Sequence, residues 1–329
     1  MKILFVLSGN SKYHQNMPAF IRSQADSLIE QGINLEIFQI KGKGIFGYLK
    51  NIHPLKRVLK SGKYDIIHAH YGFCGVISAI ARRKEKLVVS FMGESEFKLD
   101  PEDLKRPALL IMMKLHKIFA KYYFDHIIFK SKNLSDFLPK LFYKSSIIPN
   151  GVNIDIFKPT NYVEARKHLN INNEEKIILW IGNQSRSVKG FNLAIEIIKS
   201  ITEILPNTKL LAIDNIPHSK LALYYNASDL FLLSSFSEGS PNVIKEALAC
   251  NCPIVSTPVG DVLSIIQNTK GCYVSESFNK LELVSLILKC LSNNERSEGA
   301  YRIKELKLDT KNKALELINL YNSLINNRK

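Results

Sequence analysis

Short apolar segments alternate with longer amphipathic ones along most of this 329-residue chain. An apolar run of about four to eight residues is typical of a buried strand, whereas apolar positions three and four apart are typical of a helix. The strands predicted in this way are Lys2–Leu7, Asn34–Ile40, Tyr64–His70, Leu87–Phe91, His126–Phe129, Lys176–Ile181, Lys209–Ile213, Leu230–Ser234 and Pro253–Ser256. Because strand and helix alternate from the first residue, the pattern predicts α/β folding with parallel, doubly wound sheets.

The segments between these strands predict helices and one domain boundary. The predicted helices are Pro18–Gln31, Gly75–Arg82, Phe191–Leu205, Pro241–Cys250 and Thr310–Ile325. The turn-rich segment 147–159 contains Pro-Asn-Gly and Lys-Pro, which favour turns over regular structure. We therefore predict two Rossmann-like domains, residues 1–150 and 151–309, with a terminal helix in residues 310–329.

Two glutamates, Glu238 and Glu246, lie close to the start of the predicted helix at 241–250. Glu238 falls in the loop after a strand, where it can accept hydrogen bonds from ligand hydroxyls. Glu246 falls about one and a half turns into the helix, where a carboxylate suits a ribose diol. A lone Glu-Gly-Ser-Pro would read as a surface glutamate followed by an ordinary first turn, but the rest of the chain argues against that reading.

The residues between the glutamates predict a helix N-terminus that can bind an anion. Gly239 and Pro241 end the preceding strand, Ser240 suits the N-cap and Pro241 suits the first helical position. The backbone amides of Asn242 and Val243 then lack partners inside the helix. Together with the helix dipole they favour a phosphate or another negatively charged group.

The segments 238–249 and 253–261 resemble the signature of retaining glycosyltransferases of family four, which have the GT-B architecture. This resemblance implies two Rossmann-like domains facing a central cleft, with acceptor binding in the first domain and nucleotide-sugar binding in the second. It also implies that the terminal helix crosses back to the first domain. By the same resemblance Glu238 contacts the donor sugar, Glu246 holds the ribose, and the backbone from Gly239 to Val243 holds sugar and phosphate.

The loop from Gly182 to Gly190 follows a predicted strand and carries cationic side chains. A departing diphosphate needs cationic partners, and Lys189 and Arg186 stand where the loop meets the next helix. The resemblance places Lys189 before the second glycine, as in the family, and Asn183 where an arginine is usual. We predict Lys189 and Arg186 as catalytic residues beside Glu238, with Gly182 and Asn183 contacting the donor. A solvated basic loop is the alternative, mainly for Arg186.

Candidate residues of the first domain come mainly from the resemblance. Gly9 follows the first strand and is predicted to approach the donor, while His14, His70 and Glu94 are predicted to contact the acceptor. Met92 stands where many members of the family have a histidine near the reaction centre. A structural role for His70 and a solvated acidic loop at Glu94 are the alternatives.

No metal or cofactor site is predicted. The histidines at 68 and 70 lie on one face of a strand, but no further ligand is spaced to complete a metal site. The five cysteines are sparse, and Cys250-Asn-Cys252 has no second pair nearby, so reduced, buried thiols are expected. The resemblance implies a metal-independent reaction in which the nucleotide sugar is a substrate.

The positive charge of the chain is concentrated in the first half. Residues 1–150 carry 24 Lys and Arg against 12 Asp and Glu, which is a net charge of +12. The net charge of the whole chain is +15, so most of the excess lies in this half. Two basic segments, 41–60 and 105–123, mix lysines with apolar and aromatic residues and predict amphipathic surface helices. We expect peripheral contact with an anionic membrane, with a solvated basic face as the alternative. Nucleic-acid binding is not expected, because no recognition motif accompanies the charge.

The predicted function is transfer of a sugar from a nucleoside-diphosphate sugar to a saccharide or lipid-linked saccharide, in surface polysaccharide biosynthesis. The apolar N-terminus lacks a signal-peptidase site and reads as a strand, so a cytoplasmic protein at the inner face of the membrane is expected. Two alternatives are a nucleotide-sugar epimerase of the same architecture and a non-catalytic nucleotide-sugar-binding protein.

Overall fold

In a computed structural model of the protein, which describes residues 1–9, 17–98, 107–293 and 295–326, the chain forms two compact units. The first contains residues 1–150 and 310–329, and the second contains residues 151–309. Each unit is built on a parallel sheet with helices, and the predicted fold class is confirmed. In the described part of the chain no helix has both the length and the apolar character needed to cross a membrane.

The sheet of the first unit has six parallel strands in the order β2-β1-β3-β4-β5-β6. Their bounds are β1 Lys2–Ser8, β2 Asn34–Ile40, β3 Ile66–His70, β4 Lys86–Phe91, β5 His126–Phe129 and β6 Ser145–Ile147. Strands β1, β3, β4 and β5 are almost wholly buried because helices cover both faces of the sheet. Strand β6 was not predicted, since its three residues carry no long apolar run.

The helices of the first unit pack on both faces of this sheet. They are α1 Ala19–Glu30, α2 Gly44–Leu49, α3 Ile52–Gly62, α4 Gly72–Ala81, α5 Pro107–Tyr122 and α6 Lys132–Ser135. Helix α4 begins three residues before the predicted helix, because Tyr71 adopts φ 77° and turns the chain directly after β3. The two basic segments contain α2, α3 and α5, so the predicted helices are present there.

The sheet of the second unit has five parallel strands in the order β11-β10-β9-β7-β8. Their bounds are β7 Lys176–Ile181, β8 Thr208–Ile213, β9 Leu230–Leu233, β10 Ile254–Ser256 and β11 Cys272–Val274. Strands β7 and β9 are neighbours, with Ile178 opposite Leu230. The loops that follow β7, β9 and β10 therefore meet at one edge of the sheet, where a doubly wound fold binds ligands.

The helices of the second unit enclose this sheet, and a last helix belongs to the first unit. The helices of the second unit are α7 Tyr162–His168, α8 Phe191–Ile204, α9 Leu221–Ala227, α10 Asn242–Ala249, α11 Val262–Ile266, α12 Lys280–Asn293 and α13 Gly299–Glu305. The last helix, which belongs to the first unit, is α14 Thr310–Asn326. Helix α14 packs on α1, and its Leu317 and Tyr321 are buried in the same core as Ile3 and Phe5 of β1.

Candidate functional site

Helix α10 follows β9 after an eight-residue loop, 234–241, and begins one residue later than predicted. The N-cap residue is Pro241, with φ −68° and ψ 121°, and no side chain makes a cap hydrogen bond. The prediction that Ser240 is the N-cap and that Pro241 opens the helix is therefore wrong. Because Pro241 takes an extended ψ, the first helical residues are Asn242 and Val243, whose amides no side chain caps.

The loops after β7 and β9 bring two predicted catalytic residues into contact. Lys189 ends a short 3-10 turn, Ser187–Lys189, and its Nζ lies 2.6 Å from Oε1 of Glu238. The Ser235 hydroxyl donates to the same carboxylate oxygen at 2.9 Å. The Lys189 and Glu238 side chains are 27% and 15% exposed, so the pair is partly withdrawn from water and reachable by a ligand. An ammonium beside a carboxylate can serve both a sugar hydroxyl and a phosphate.

Two glycines allow these loops to pack this closely. Gly190 has φ 66°, and a Cβ there would lie 1.9 Å from the carbonyl oxygen of Ser234. Gly260 has φ 55°, and a Cβ there would lie 2.3 Å from the carbonyl oxygen of Gly239. The Ser234 hydroxyl also donates to the Gly190 carbonyl at 2.9 Å and accepts from Trp180 Nε1 at 3.0 Å. Backbone contacts between neighbouring loops therefore hold Lys189 and Glu238 in place.

The other residues predicted in the loop after β7 make hydrogen bonds to the sheet or within the loop. Gly182 continues the sheet by donating to the Ile213 carbonyl at 3.0 Å. The Asn183 side chain accepts from the amide and hydroxyl of Ser185, at 2.9 and 2.6 Å, and so closes its own turn. Arg186 is exposed at the start of the 3-10 turn. The donor-binding role of Gly182 and Asn183 and the catalytic role of Arg186 stay predictions.

Glu246 lies in a buried pocket of polar and aromatic side chains within the second unit. His218 Nε2 lies 2.7 Å from its Oε1, and the Tyr225 hydroxyl donates to its Oε2 at 3.2 Å. Burial opposes charge on His218, but the hydrogen bond and negative charge of Glu246 outweigh it and raise the His218 pKa. Burial raises the pKa of Tyr225 well above its usual value, so this hydroxyl remains a donor.

Sequence reasoning did not connect His218 or Tyr225 with Glu246. The resemblance described above also implies that residues 216–219 lie beside the nucleotide base, and the sequence pattern predicts no helix at α9. The residues are more than twenty positions from Glu246 in the chain, and only the packing of α9 against α10 brings them together. A run such as Tyr224-Tyr225-Asn226 carries no signal that one tyrosine faces a carboxylate.

In the first unit Gly9 directly follows β1, and its amide donates to the Ile40 carbonyl at 2.9 Å. A Cβ at Gly9 would lie 3.2 Å from that oxygen, so the glycine allows a tight approach of β1 to β2. The predicted donor contact of Gly9 remains a prediction. His14, predicted to contact the acceptor, lies outside the described residues.

The two histidines of β3 are buried and stack on each other. Their ring centroids are 4.4 Å apart, and His68 bonds to the Tyr321 hydroxyl at 2.6 Å and to Ser90 Oγ at 2.8 Å. His70 is fully buried. Burial, reinforced by the nearby charge of Lys130, lowers the His70 pKa well below its usual value. Both rings are therefore neutral core groups, and a direct contact of His70 with an acceptor is not available in this arrangement.

The two glutamates in the segment after β4, Glu94 and Glu96, have different surroundings. Glu94 is partly exposed at the start of a short 3-10 turn. The Glu96 carboxylate instead accepts from the amides of Gly72 and Met92, at 2.5 and 2.6 Å, and so ties α4 to the end of β4. Burial raises the Glu96 pKa to about 7, against the opposing effect of these amides. Glu96 therefore binds backbone amides of the protein itself, and the acceptor contact of Glu94 stays a prediction.

The described residues contain no group of three or more His, Cys, Asp or Glu side chains that could hold a metal ion. All five cysteines are free thiols, and each is buried except Cys272, which is half-buried.

Two family models match the chain in separate regions. The model for group 1 glycosyl transferases matches residues 207–305, which include β8, β9 and α10. The model for glycosyl transferase 4-like proteins matches residues 19–131 of the first unit. Each match therefore falls in a different unit of the structure.

Two glycosyltransferases are similar in sequence to much of this chain. The teichuronic acid biosynthesis glycosyltransferase TuaC of Bacillus subtilis is 26% identical over 260 residues, which are 68% of this chain and 63% of that protein. An Escherichia coli UDP-Gal:alpha-D-GlcNAc-diphosphoundecaprenol alpha-1,3-galactosyltransferase is 25% identical over 265 residues, which are 70% of this chain and 65% of that protein. The chain thus spans slightly under two thirds of both relatives.

Solved structures show the same architecture. The sucrose-phosphate synthase of Thermosynechococcus elongatus superposes with a TM-score of 0.80 at 17% identity, covering 98% of this chain and 99% of that one. Anabaena HepE in complex with UDP superposes with a TM-score of 0.74 at 17% identity, covering 98% and 100%. From the two family matches, the relatives and the two-unit fold, we conclude that the chain belongs to the group 1 glycosyltransferases and has the GT-B fold.

Proposed function

We propose that the protein transfers a sugar, with retention of configuration, from a nucleoside-diphosphate sugar to a hydroxyl of a saccharide or lipid-linked saccharide. The observation that carries this proposal is the Lys189–Glu238 pair beside the start of α10, with Glu246 one turn further along the helix. A sugar, a diphosphate and a ribose follow one another along a nucleotide sugar. The second unit brings together the Lys189 ammonium, the uncapped amides of the first turn of α10 and two carboxylates. Together these groups suit the sugar, the diphosphate and the ribose.

In this proposal the positive groups stabilise the leaving diphosphate. As the bond from the sugar to the diphosphate breaks, negative charge grows on the departing oxygen. Lys189 and the first-turn amides of Asn242 and Val243 would lie against that charge without reorganising. Glu238 would accept hydrogen bonds from the sugar hydroxyls and orient the ring. We propose that these groups do the work without a metal cofactor.

The relatives support the substrate classes of the proposal. The name of the Escherichia coli relative specifies a UDP-sugar donor and a diphosphoundecaprenol-linked acceptor, and that of the Bacillus subtilis relative specifies teichuronic acid biosynthesis. Anabaena HepE was crystallised with UDP-glucose. We therefore propose a nucleotide-sugar donor, a saccharide or lipid-linked acceptor, and a place in surface polysaccharide assembly.

A transfer assay tests this function. The protein is incubated with UDP-, GDP- and ADP-sugars and an undecaprenyl-diphosphate-linked saccharide, in the presence of EDTA, and both nucleoside diphosphate and glycosylated product are measured. We expect one nucleotide class to support transfer without metal, and Glu238→Gln to lower the rate at least about 100-fold, because the sugar loses a charged acceptor.

Three other outcomes would contradict the proposal. Conversion of the donor in the absence of acceptor would indicate an epimerase. Donor binding without turnover on any acceptor would indicate a binding protein. A Glu238→Gln variant with the full rate would show that the site is elsewhere. The Glu203→Gln variant, at an exposed position of α8 in the same unit, is the matched control.

We further propose that the first unit contacts an anionic membrane through a basic–apolar patch. The patch consists of exposed Phe46 on α2 and exposed Ile111, Ile118 and Tyr122 on α5, with the neighbouring Lys43, Lys50, Lys114 and Lys121. Helices α2 and α5 pack against each other, so these side chains lie on adjoining elements. Exposed apolar residues flanked by lysines suit the boundary between lipid headgroups and acyl chains. A lipid-linked acceptor would be reached from such a surface.

Vesicle binding tests the patch. A lysine near an anionic surface contributes about 1 kcal/mol of attraction, so Lys114→Ala with Lys121→Ala should weaken binding to phosphatidylglycerol-containing vesicles about 30-fold. The control removes the same charge from the second unit, at exposed Lys199 and Lys304. Equal binding by both double variants, or equal binding to neutral phosphatidylcholine vesicles, would contradict the proposal.

A further inference from the structure

The Glu246 carboxylate is held from two sides. His218 lies at one oxygen and Tyr225 at the other, at 2.7 and 3.2 Å, and the Glu246 side chain is only 6% exposed. An ionised carboxylate offers about four lone-pair positions, so each oxygen keeps capacity for one more hydrogen bond. The two protein contacts therefore fix the plane of the carboxylate while leaving acceptor positions for a ligand.

The two partners of Glu246 differ in how firmly they are themselves held. Tyr225 is fully buried and packs edge-on against Phe231, with ring centroids 5.5 Å apart. His218 is 33% exposed and opens a short 3-10 turn after Pro217. Its ring packs on buried Phe157 at 5.0 Å. Tyr225 is thus a fixed part of the core, whereas His218 is the partner at the solvent side of Glu246.

A ribose diol makes a strict demand on such a carboxylate. Its two hydroxyls are adjacent and donate together, so both carboxylate oxygens must face them at once. If one oxygen loses its partner, the carboxylate can turn about the remaining contact and no longer presents both oxygens. The contact with His218 is charge-assisted, which makes it stronger than a bond between neutral groups.

We propose that His218 is a positioning residue for the donor, holding Glu246 through the Nε2–Oε1 contact so that both ribose hydroxyls can donate to the carboxylate. This inference rests on the proposed function, in which Glu246 receives the ribose. His218 acts through Glu246 and not through its own contact with the nucleotide. The role therefore concerns recognition of the ribose hydroxyls specifically, and not affinity for the base or the diphosphate.

The experiment compares each nucleotide with its analogue lacking the diol. Calorimetry gives Kd for UDP and 2′,3′-dideoxy-UDP, and for the corresponding GDP and ADP pairs, and the base that the wild type binds is carried forward. We expect the wild type to prefer the ribonucleotide by about tenfold or more, as hydrogen bonds to a charged group imply. Glu246→Ala should abolish this preference.

The His218 variants then separate positioning from contact. His218→Phe keeps a ring against Phe157 but cannot donate, so the ribose preference should fall several-fold while Kd for the dideoxy analogue stays unchanged. His218→Gln, whose amide can donate, should restore part of the preference. Ser292→Ala, at an exposed position of α12 in the same unit, should match the wild type.

Each contrary result has a distinct meaning. An unchanged preference in His218→Phe, with the preference lost in Glu246→Ala, would overturn the role of His218 and leave the donor site intact. An equal loss for both ligands in His218→Phe would show that His218 contacts the nucleotide directly, which also overturns positioning. No preference in the wild type would overturn the assignment of Glu246 to the ribose, and absence of nucleotide binding would overturn the proposed function itself.

Discussion

Replacing Lys189 by alanine is expected to lower the rate of sugar transfer by about 100- to 1,000-fold, with a much smaller change in donor affinity. This is the typical loss when one fixed electrostatic group is removed from developing negative charge. Lys189 lies 2.6 Å from Glu238 and is held by the packing of Gly190 under Ser234, so its ammonium needs little reorganisation. Because charge on the diphosphate grows as the glycosidic bond breaks, kcat should fall more than KM rises.

Steady-state rates of the Lys189→Ala variant test this expectation, and two further variants control it. Lys189→Arg keeps the charge and should retain more activity than alanine. Lys199→Ala removes an exposed lysine from α8 in the same unit and should have no effect. A Lys189→Ala enzyme within a few-fold of the wild-type kcat would show that the leaving group is stabilised elsewhere, and Arg186 would be the next candidate.

Replacing Gly190 by alanine is expected to destabilise the second unit by more than about 3 kcal/mol. Two costs combine here: a left-handed backbone at a non-glycine residue, about 1–2 kcal/mol, and overpacking, about 1–3 kcal/mol. The overpacking is severe because the new Cβ would lie 1.9 Å from a backbone oxygen, that of Ser234, and not from a flexible side chain. Urea unfolding of the variant and the wild type measures the difference.

Gly44 offers a matched control for this substitution. It has φ 63°, close to the 66° of Gly190, but a Cβ there would meet no atom within 4 Å. Gly44→Ala should therefore show only the backbone cost, about 1–2 kcal/mol. If the two alanine variants lost equal stability, the close approach of the β7 and β9 loops would not be a determinant of folding.

Much of the fold follows from local sequence patterns. Buried parallel strands such as Ile177–Trp180 and Leu230–Leu233 read as uninterrupted apolar runs, because helices cover both faces of the sheet. The strands that escaped prediction, β6 and β11, have three residues each and are only partly buried, so they carry no such run. The start of α10 was displaced by one residue because proline suits both the N-cap and the first helical position in φ, and ψ alone decides between them.

The candidate site was predictable only in part. Glu238, Lys189 and Glu246 could be predicted as candidate residues because they belong to contiguous motifs around strand-to-helix junctions. The burial of His70 could not be predicted, and neither could the backbone hydrogen bonds that Glu96 makes. The sequence near a strand end does not show which polar side chains other elements will cover. The same holds for His218, whose ring nitrogen meets Glu246 across 28 positions of sequence.

The sequence by itself determined the α/β alternation, the placement of glutamate and lysine at loop–helix junctions, and the family resemblance. These are local properties, since periodicity and turn residues act over a few neighbouring positions. Only the tertiary structure decided that Lys189 pairs with Glu238, that Gly190 lies against the Ser234 carbonyl, and that His218 and Tyr225 hold Glu246. The contacts of Lys189 and Gly190 depend on the order of strands in the sheet, which places the loops after β7 and β9 side by side although Gly190 and Ser234 are 44 positions apart. The contacts of Glu246 depend on the packing of α9 against α10, which are separate segments of the chain.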